Sequence, residues 1–397
     1  MQLVFFTDSR FFKDRNGKVY NVSGGLPGSL WQRYLKHFDR VVIVARLLEG
    51  MDQEGIPAYE IPVSNVSVCG LPYYLGGRQY LRCLFKYRKT LRGVIEAFQE
   101  KDVAFLCRVP SLCGSLASKI LREKRLSYGV EVGGDPWDVF APGSVDIPFR
   151  PFVRWWSTFS LKKCVRGADV ALYVTRNVLQ QRYPARKGAF CGSASNVVLS
   201  KDRIVSFPRT IGNGLVNLKI VSVGSLDQMY KSPDILLRAL SIVKERGIRF
   251  QLTWAGDGKY LEDMKALAKR LGVDDFVVWH GRLSAEKVDR LLLASDIFVL
   301  ASRTEGLPRA LIEAMAKGLP CIGTRVGGIP ELLDESVLVN ANDAVGLAEK
   351  IVKMQEFPRF ANEQAKRNLT EARKYEYSVL EEVRAQAFSF LKERSKK

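Results

Sequence analysis

Glu305 and Glu313 stand with seven residues between them, and Gly306, Leu307 and Pro308 follow the first directly. A carboxylate accepts hydrogen bonds from paired hydroxyls, as in a ribose diol or a hexose. The apolar run "DIFVLAS" (296–302) before them has strand character, and "PRALIEAMAKG" (308–318) has helical spacing, with Pro308 suited to the first helical position and Gly318 to the C-terminal cap. The loop 303–307 therefore leaves a strand and enters a helix N-terminus. In open α/β sheets ligands bind at that place. Free N–H groups and the positive end of the helix dipole favour an anion such as a diphosphate there. Acids beside a bound diphosphate would repel it unless they point at sugar hydroxyls on either side. The competing reading is a solvated Glu305 and a helix-surface Glu313.

The elements that would hold such a site follow from the apolar pattern. "QLVFF", "RVVIVA", "DVAFLC", "SYGVEV" and "DVALYV" are strand-length runs, separated by helical spacing at 28–38, 77–99, 112–124 and 152–166. The pattern restarts after residues 200–216 with "LKIVSVG", "FQLTWAG", "FVVWHG", "DIFVLAS" and "PCIGT". This alternation predicts βα units and mainly parallel sheets in two α/β domains joined near residue 208. A chain of 397 residues has the length for two. Ser284 is suited to cap the helix that follows it, and Gly272 to close the one before it. The last segment, "YSVLEEVRAQAFSFLKERSKK", reads as a helix with a basic tail.

Composition narrows the function classes. Apolar residues make up 47 % of the chain and are patterned throughout, which predicts a folded protein. The net charge of +19 is uneven: residues 1–200 hold 29 Lys/Arg against 16 Asp/Glu, and residues 201–397 hold 32 against 26. A basic N-terminal half suggests an anionic partner. No nucleic-acid-binding module accompanies the charge, so nucleic acid is not expected. The seven cysteines are scattered without a C-x-x-C pair, so reduced thiols in a cytoplasmic setting are expected, with neither a zinc site nor a disulfide framework. Met1 leads straight into a strand-like run, unlike a signal peptide. No window approaches the roughly 20 apolar residues of a membrane span.

The segment "DIFVLASRTEGLPRALIEAMAKGLPCIGTRVGGIPE" (296–331) resembles the signature of retaining glycosyltransferases of family 4, and its two glutamates match the E-x7-E motif of that family. Further matches lie in register at 221–240, 252–273 and 277–296, so the resemblance covers essentially the whole C-terminal domain. It is looser in the N-terminal half, where "GGLPGSLWQRYL" (24–35) is similar to the family's glycine-rich loop. The resemblance implies an α/β fold of GT-B architecture: two Rossmann-like domains facing a cleft, with the C-terminal helix crossing back to the N-terminal domain. The expected boundaries are 1–207 for the acceptor domain, 208–375 for the nucleotide-sugar domain, and 376–397 for the crossing helix and tail.

Residue by residue, the resemblance places Glu313 on the ribose hydroxyls and Glu305 on the donor hexose. The N–H groups of Gly306 and Leu307 would face sugar or phosphate, and Lys231 would neutralise the diphosphate. Gly224 and Ser225 follow the first strand of the domain, where the family often has a glycine-arginine pair. Arg282 would sit beside the base. Many members also carry a catalytic histidine in the N-terminal domain; here His37 and His280 are elsewhere, and Arg108 holds the equivalent position in "FLCRVPS". Asp135, in "VEVGGDPWD", is the candidate for positioning or deprotonating the acceptor hydroxyl, against a structural reading as an Asx-type turn with a packed Trp137. Gly24 and Gly25 would let backbone approach phosphate or acceptor.

The implied activity is that of a retaining hexosyltransferase, independent of metal and of any cofactor, moving sugar from a nucleotide donor to a glycan or lipid-linked acceptor. A sugar-nucleotide epimerase of the same fold and a non-catalytic partner protein remain open. Segment 78–98 is a basic amphipathic helix whose Arg78, Arg82, Lys86 and Lys89 share one side, while Leu81 and Phe85 fall on the apolar half. It reads either as a domain helix with a solvated basic face or as a contact with anionic lipid on the inner face of a membrane. Phe152, Trp155, Trp156 and Phe159 also have helical spacing, which most often marks core.

Overall fold

The structure, a computed structural model, describes residues 1–22, 28–50, 59–61, 64–100, 102–142, 144–145 and 147–396. In the N-terminal half seven strands run parallel, in the order Val66–Leu71, Arg40–Glu49, Gln2–Lys13, Val103–Val109, Gly129–Val132, Val170–Tyr173 and Phe190–Ser193. Two short strands, Val19–Asn21 and Tyr59–Glu60, extend the far end of the first strand by antiparallel pairing. The order runs outward from the first strand in both directions, so a crevice opens outside the carboxyl ends of Gln2–Lys13 and Val103–Val109. The register of Gln2–Lys13 against Arg40–Glu49 shifts between Phe6 and Arg10 at this crevice. Such a bulge re-aims side chains, and Asp8, Ser9 and Arg10 line the resulting chamber.

Asp8 anchors the chamber wall. Its carboxylate accepts N–H bonds from Leu112 (2.5 Å) and Cys113 (3.0 Å), at the start of the helix Leu112–Glu123 that Ser111 caps. Arg46 donates to the carbonyls of Asp8 and Tyr74. Burial pushes the Asp8 carboxyl up, against those N–H bonds and the Arg46 charge.

The second sheet has six parallel strands in the order Val277–Trp279, Phe250–Ala255, Leu218–Val223, Ile297–Leu300, Cys321–Thr324 and Leu338–Val339. Its strands are runs of Val, Ile, Leu and Phe, because helices cover both faces. The order reverses between Leu218–Val223 and Ile297–Leu300, so the two switch-point crevices face each other across the cleft. Ser284 and Gly272 take their expected capping places, Ser284 accepting from Lys287 N–H at 3.4 Å and Gly272 adopting φ +63°. Pro308 stands just before the helix Arg309–Ala316 and not inside it.

The helix Tyr377–Ser395 crosses back to the N-terminal sheet, where Ala387, Phe388 and Leu391 join a core with Leu3, Phe5, Leu106, Val170 and Leu172. Phe388 packs against the rings of Tyr34, His37 and Phe38. His37 bonds Glu381 on the crossing helix at 3.0 Å, a structural and not a catalytic position. A second tie joins the domains at Glu331. Its carboxylate accepts the N–H groups of Arg176 (2.6 Å), Asn177 (3.0 Å) and Val178 (2.6 Å), where the helix Val178–Arg182 begins. Among the described residues no helix is long and apolar enough to cross a membrane.

Candidate active site

The loop after Ile297–Leu300 is fixed before its acid is aimed. Thr324 donates to the Ser302 carbonyl at 2.6 Å, and the Ser302 hydroxyl donates to Glu305 Oε1 at 2.6 Å. The same oxygen receives the Lys231 ammonium in a mostly buried ion pair. Lys231 ends the short turn Met229–Lys231, which follows the first strand of this sheet. Arg303 holds that turn: its N–H bonds the Tyr230 carbonyl at 2.7 Å, and its guanidinium bonds the Met229 carbonyl (2.8 Å) and Asp234 (2.7 Å). Gly224 has a steric reason to be glycine, since a Cβ there would meet Lys231 Cγ at 2.8 Å. The lysine stem crosses that backbone to reach the cleft.

Glu313 lies on the helix Arg309–Ala316 that follows this loop, lining the cleft cavity with no side-chain hydrogen-bond partner among the described residues. Burial pushes its carboxyl up from the ordinary range, against Arg203, Arg309 and Lys317, with Asp289 adding to the rise. A largely buried carboxylate without a partner is suited to receive a diol. The cavity between the domains measures about 610 Å³, the size of a small-molecule site. Its second-domain wall includes Gly224, Ser225, Lys231, Glu305, Gly306, Leu307 and Glu313; Arg108 reaches it from the first. The domains approach closely at Gly306, where a Cβ would fall 2.5 Å from the Gly133 carbonyl oxygen. Only glycine allows that approach.

Two expected residues lie elsewhere. Asp135 is buried as the cap of the short helix Pro136–Val139, accepting from Trp137 N–H at 2.8 Å and also from Tyr183 and Arg182. Both oxygens are engaged and neither lines the cavity, so the acceptor-base role is withdrawn. Trp137 is not packed inside; Arg154 stacks over its exposed ring at 3.8 Å. Arg282 is exposed and outside the cavity wall, beside Gly281, whose backbone bridges Gly256. Gly24 and Gly25 fall outside the described residues.

Sequence reasoning missed Arg33, which is 4 % exposed and lines the cavity from the helix Gly28–Leu35. Its signal was a basic residue inside "LWQRYL", among Leu30, Trp31 and Tyr34, all buried. The chamber residues Asp8, Arg10 and Arg46 were also missed. Their only trace was polar character interrupting a long apolar strand.

Residues 217–356 match the family described as Glycosyl transferases group 1. Protein CapJ of Staphylococcus aureus is 27 % identical over 353 residues, covering 88 % of this chain and 85 % of CapJ. The putative colanic acid biosynthesis glycosyltransferase WcaL of Escherichia coli is 33 % identical over 153 residues, 36 % of this chain and 37 % of that protein. Anabaena HepE, solved in complex with UDP and glucose, superposes with a TM-score of 0.65 at 16 % identity, covering 98 % of this chain and 99 % of HepE. The fold is GT-B. The chain is a nucleotide-sugar-dependent glycosyltransferase.

Proposed function

We propose that the protein transfers a hexose from a nucleoside-diphosphate donor, with retention of anomeric configuration, to a glycan or lipid-linked acceptor during polysaccharide assembly. The observation that carries this reading is the meeting of Lys231, Glu305 and unpartnered Glu313 on one cavity wall, beside the start of Arg309–Ala316. Glu313 takes the ribose diol. Glu305, oriented by Ser302 and Lys231, takes hexose hydroxyls. Lys231 and the N–H groups of Gly306 and Leu307 meet the phosphates. The acceptor occupies the chamber at the first-domain switch point.

Both engaged oxygens of Asp135 remove the one expected protein base, which favours front-face attack. The acceptor oxygen bonds the anomeric carbon as the bond to the phosphate oxygen breaks, and the leaving phosphate takes the acceptor proton. Incubation with a panel of nucleotide sugars, UDP sugars first because HepE holds UDP, tests the reading. Release of free nucleoside diphosphate, and a product of unchanged anomeric configuration by proton NMR, are expected. An altered sugar would mean an epimerase, and binding without turnover a non-catalytic partner. WcaL, named for colanic acid biosynthesis, supports a polysaccharide acceptor.

One face of the acceptor domain suits a lipid surface. On Gly76–Phe98 the side chains of Leu81 and Phe85 are exposed and not packed inward, alongside exposed Arg78, Arg82, Lys86 and Lys89. The apolar stripe of the helix Arg150–Gly167 is also turned outward. Phe152, Trp155, Trp156 and Phe159 are exposed, and only Leu161, Cys164 and Val165 are buried. The core reading of that stripe is withdrawn. Both helices pack against Leu112–Glu123, through Arg92–Glu123 (2.9 Å) and Ser118–Cys164 (3.0 Å), so they share a face. Aromatic residues beside cations suit the interface of an anionic bilayer. We therefore place the protein peripherally on the cytoplasmic side of a membrane. Phosphatidylglycerol-containing vesicles should float the wild type and not a Phe85→Ser/Trp155→Ser variant, with binding weakened by salt. Equal binding to neutral and anionic vesicles would reject the electrostatic contribution.

A further inference from the structure

The cavity holds more positive charge from the first domain than its own neighbours use. Arg33 and Arg108 both line it, and neither guanidinium makes a hydrogen bond or ion pair among the described residues. Arg33 Nε and Arg108 Nη1 are buried without a partner. The nearby acids number two against three arginines: Glu131, which accepts the Tyr34 hydroxyl at 2.7 Å, and Glu381, which bonds His37 through one oxygen and leaves Oε2 without a hydrogen-bond partner. One positive charge of Arg33, Arg108 and Arg384 is therefore left over. Arg384, the other buried arginine of this region, donates to the Ser195 carbonyl and stands 3.7 Å from Glu381 Oε2. Buried charge without a partner is costly and rare. Arg33 is such a group, and half-buried Arg108 adds a second guanidinium with an unbonded buried nitrogen, so this side of the cavity suits an anion.

Formal charge on the cavity wall says where that anion belongs. From the second domain, Lys231 and Arg309 face Glu305 and Glu313, so that wall is neutral. Lys231, moreover, is already paired with Glu305. Ser225 gives that wall no cation after the first strand. A diphosphate bound against this wall alone would lack compensation, and negative charge grows on the leaving phosphate as the glycosidic bond breaks. We propose that Arg33 and Arg108 form a diphosphate subsite across the cleft from Lys231, supplying from the acceptor domain the charge that stabilises the leaving group. This rests on the donor reading given above. The Gly306–Gly133 approach brings the two walls together, so the subsite is complete only when the domains are closed.

Calorimetric titration with uridine, UMP and UDP tests the assignment on wild type, Arg33→Gln and Arg108→Gln. Each variant should lose about tenfold or more in UDP affinity, the scale of a charge-assisted bond, and leave UMP affinity nearly unchanged. Unliganded Arg33→Gln should melt at or above the wild-type Tm, because it sheds a buried charge without a hydrogen-bond partner, and Arg108→Gln should melt close to it. UDP affinity equal to wild type would overturn the proposal. So would a rise confined to the KM of a phosphorylated acceptor, which would move the anion to the acceptor, or a fall in Tm with unchanged UDP affinity, which would mark a structural role. A wild type that binds no nucleotide at all would instead remove the donor reading itself.

Discussion

Lys231→Ala is expected to lower turnover about 10²–10³-fold, the range seen when one preorganised group facing developing charge is removed. The ammonium is held in place before the substrate arrives, its stem laid over Gly224 and its head on Glu305. That preorganisation spares reorganisation at the moment the phosphate departs. Glu305→Ala should also lower turnover while leaving nucleotide affinity mostly intact, because its partners in the complex are hexose hydroxyls. The two residues form one buried pair, so the double variant should lose much less than the product of the single losses. Single-turnover rates of sugar release from the nucleotide donor measure all three. Additive losses would mean that the pair does not act as a unit.

Glu313→Ala should weaken nucleoside-diphosphate binding about 10–100-fold, since a charged acceptor that holds a diol contributes more than a neutral one. The raised carboxyl adds a pH signature. Affinity should fall as pH drops through a value above the usual glutamate range, because the protonated group accepts more weakly. Stability of the unliganded protein moves in the opposite sense. The unfolded chain releases this proton first as pH rises, so the Glu313 contribution is fully present below the unfolded value. It declines as pH climbs from there to the raised folded value. Glu313→Gln should remove both slopes and raise the neutral-pH Tm slightly. Calorimetry across mildly acidic pH reads the first, and thermal melts the second.

Most of the frame was legible because parallel strands buried on both faces read as unbroken apolar runs. The "DIFVLAS" and "LKIVSVG" strands and the loop carrying Glu305 follow from that pattern alone. "VSVCGL" (66–71) escaped because it is an outer strand with a glycine and half-exposed side chains, which blurs the signal. Periodicity also cannot tell an inward stripe from an outward one. The aromatics of Arg150–Gly167 have helical spacing, yet the core needs only three other positions on that helix. Asp135 was misread because an acid before proline serves capping as readily as catalysis, and only the contacts from Tyr183 and Arg182 decide. Arg33 and the Asp8–Arg10 bulge left only a charge among apolar residues as a local trace, and it takes their tertiary neighbours to place them on the cleft.

The central claim is that one cavity wall holds a glycosyl nucleotide between two acids. A crystal structure of the protein with a non-hydrolysable nucleotide sugar tests it most directly. The account predicts ribose hydroxyls on Glu313, hexose hydroxyls on Glu305 and phosphate oxygens beside Lys231. A ligand bound elsewhere, with Glu305 and Glu313 both turned to solvent, would contradict it.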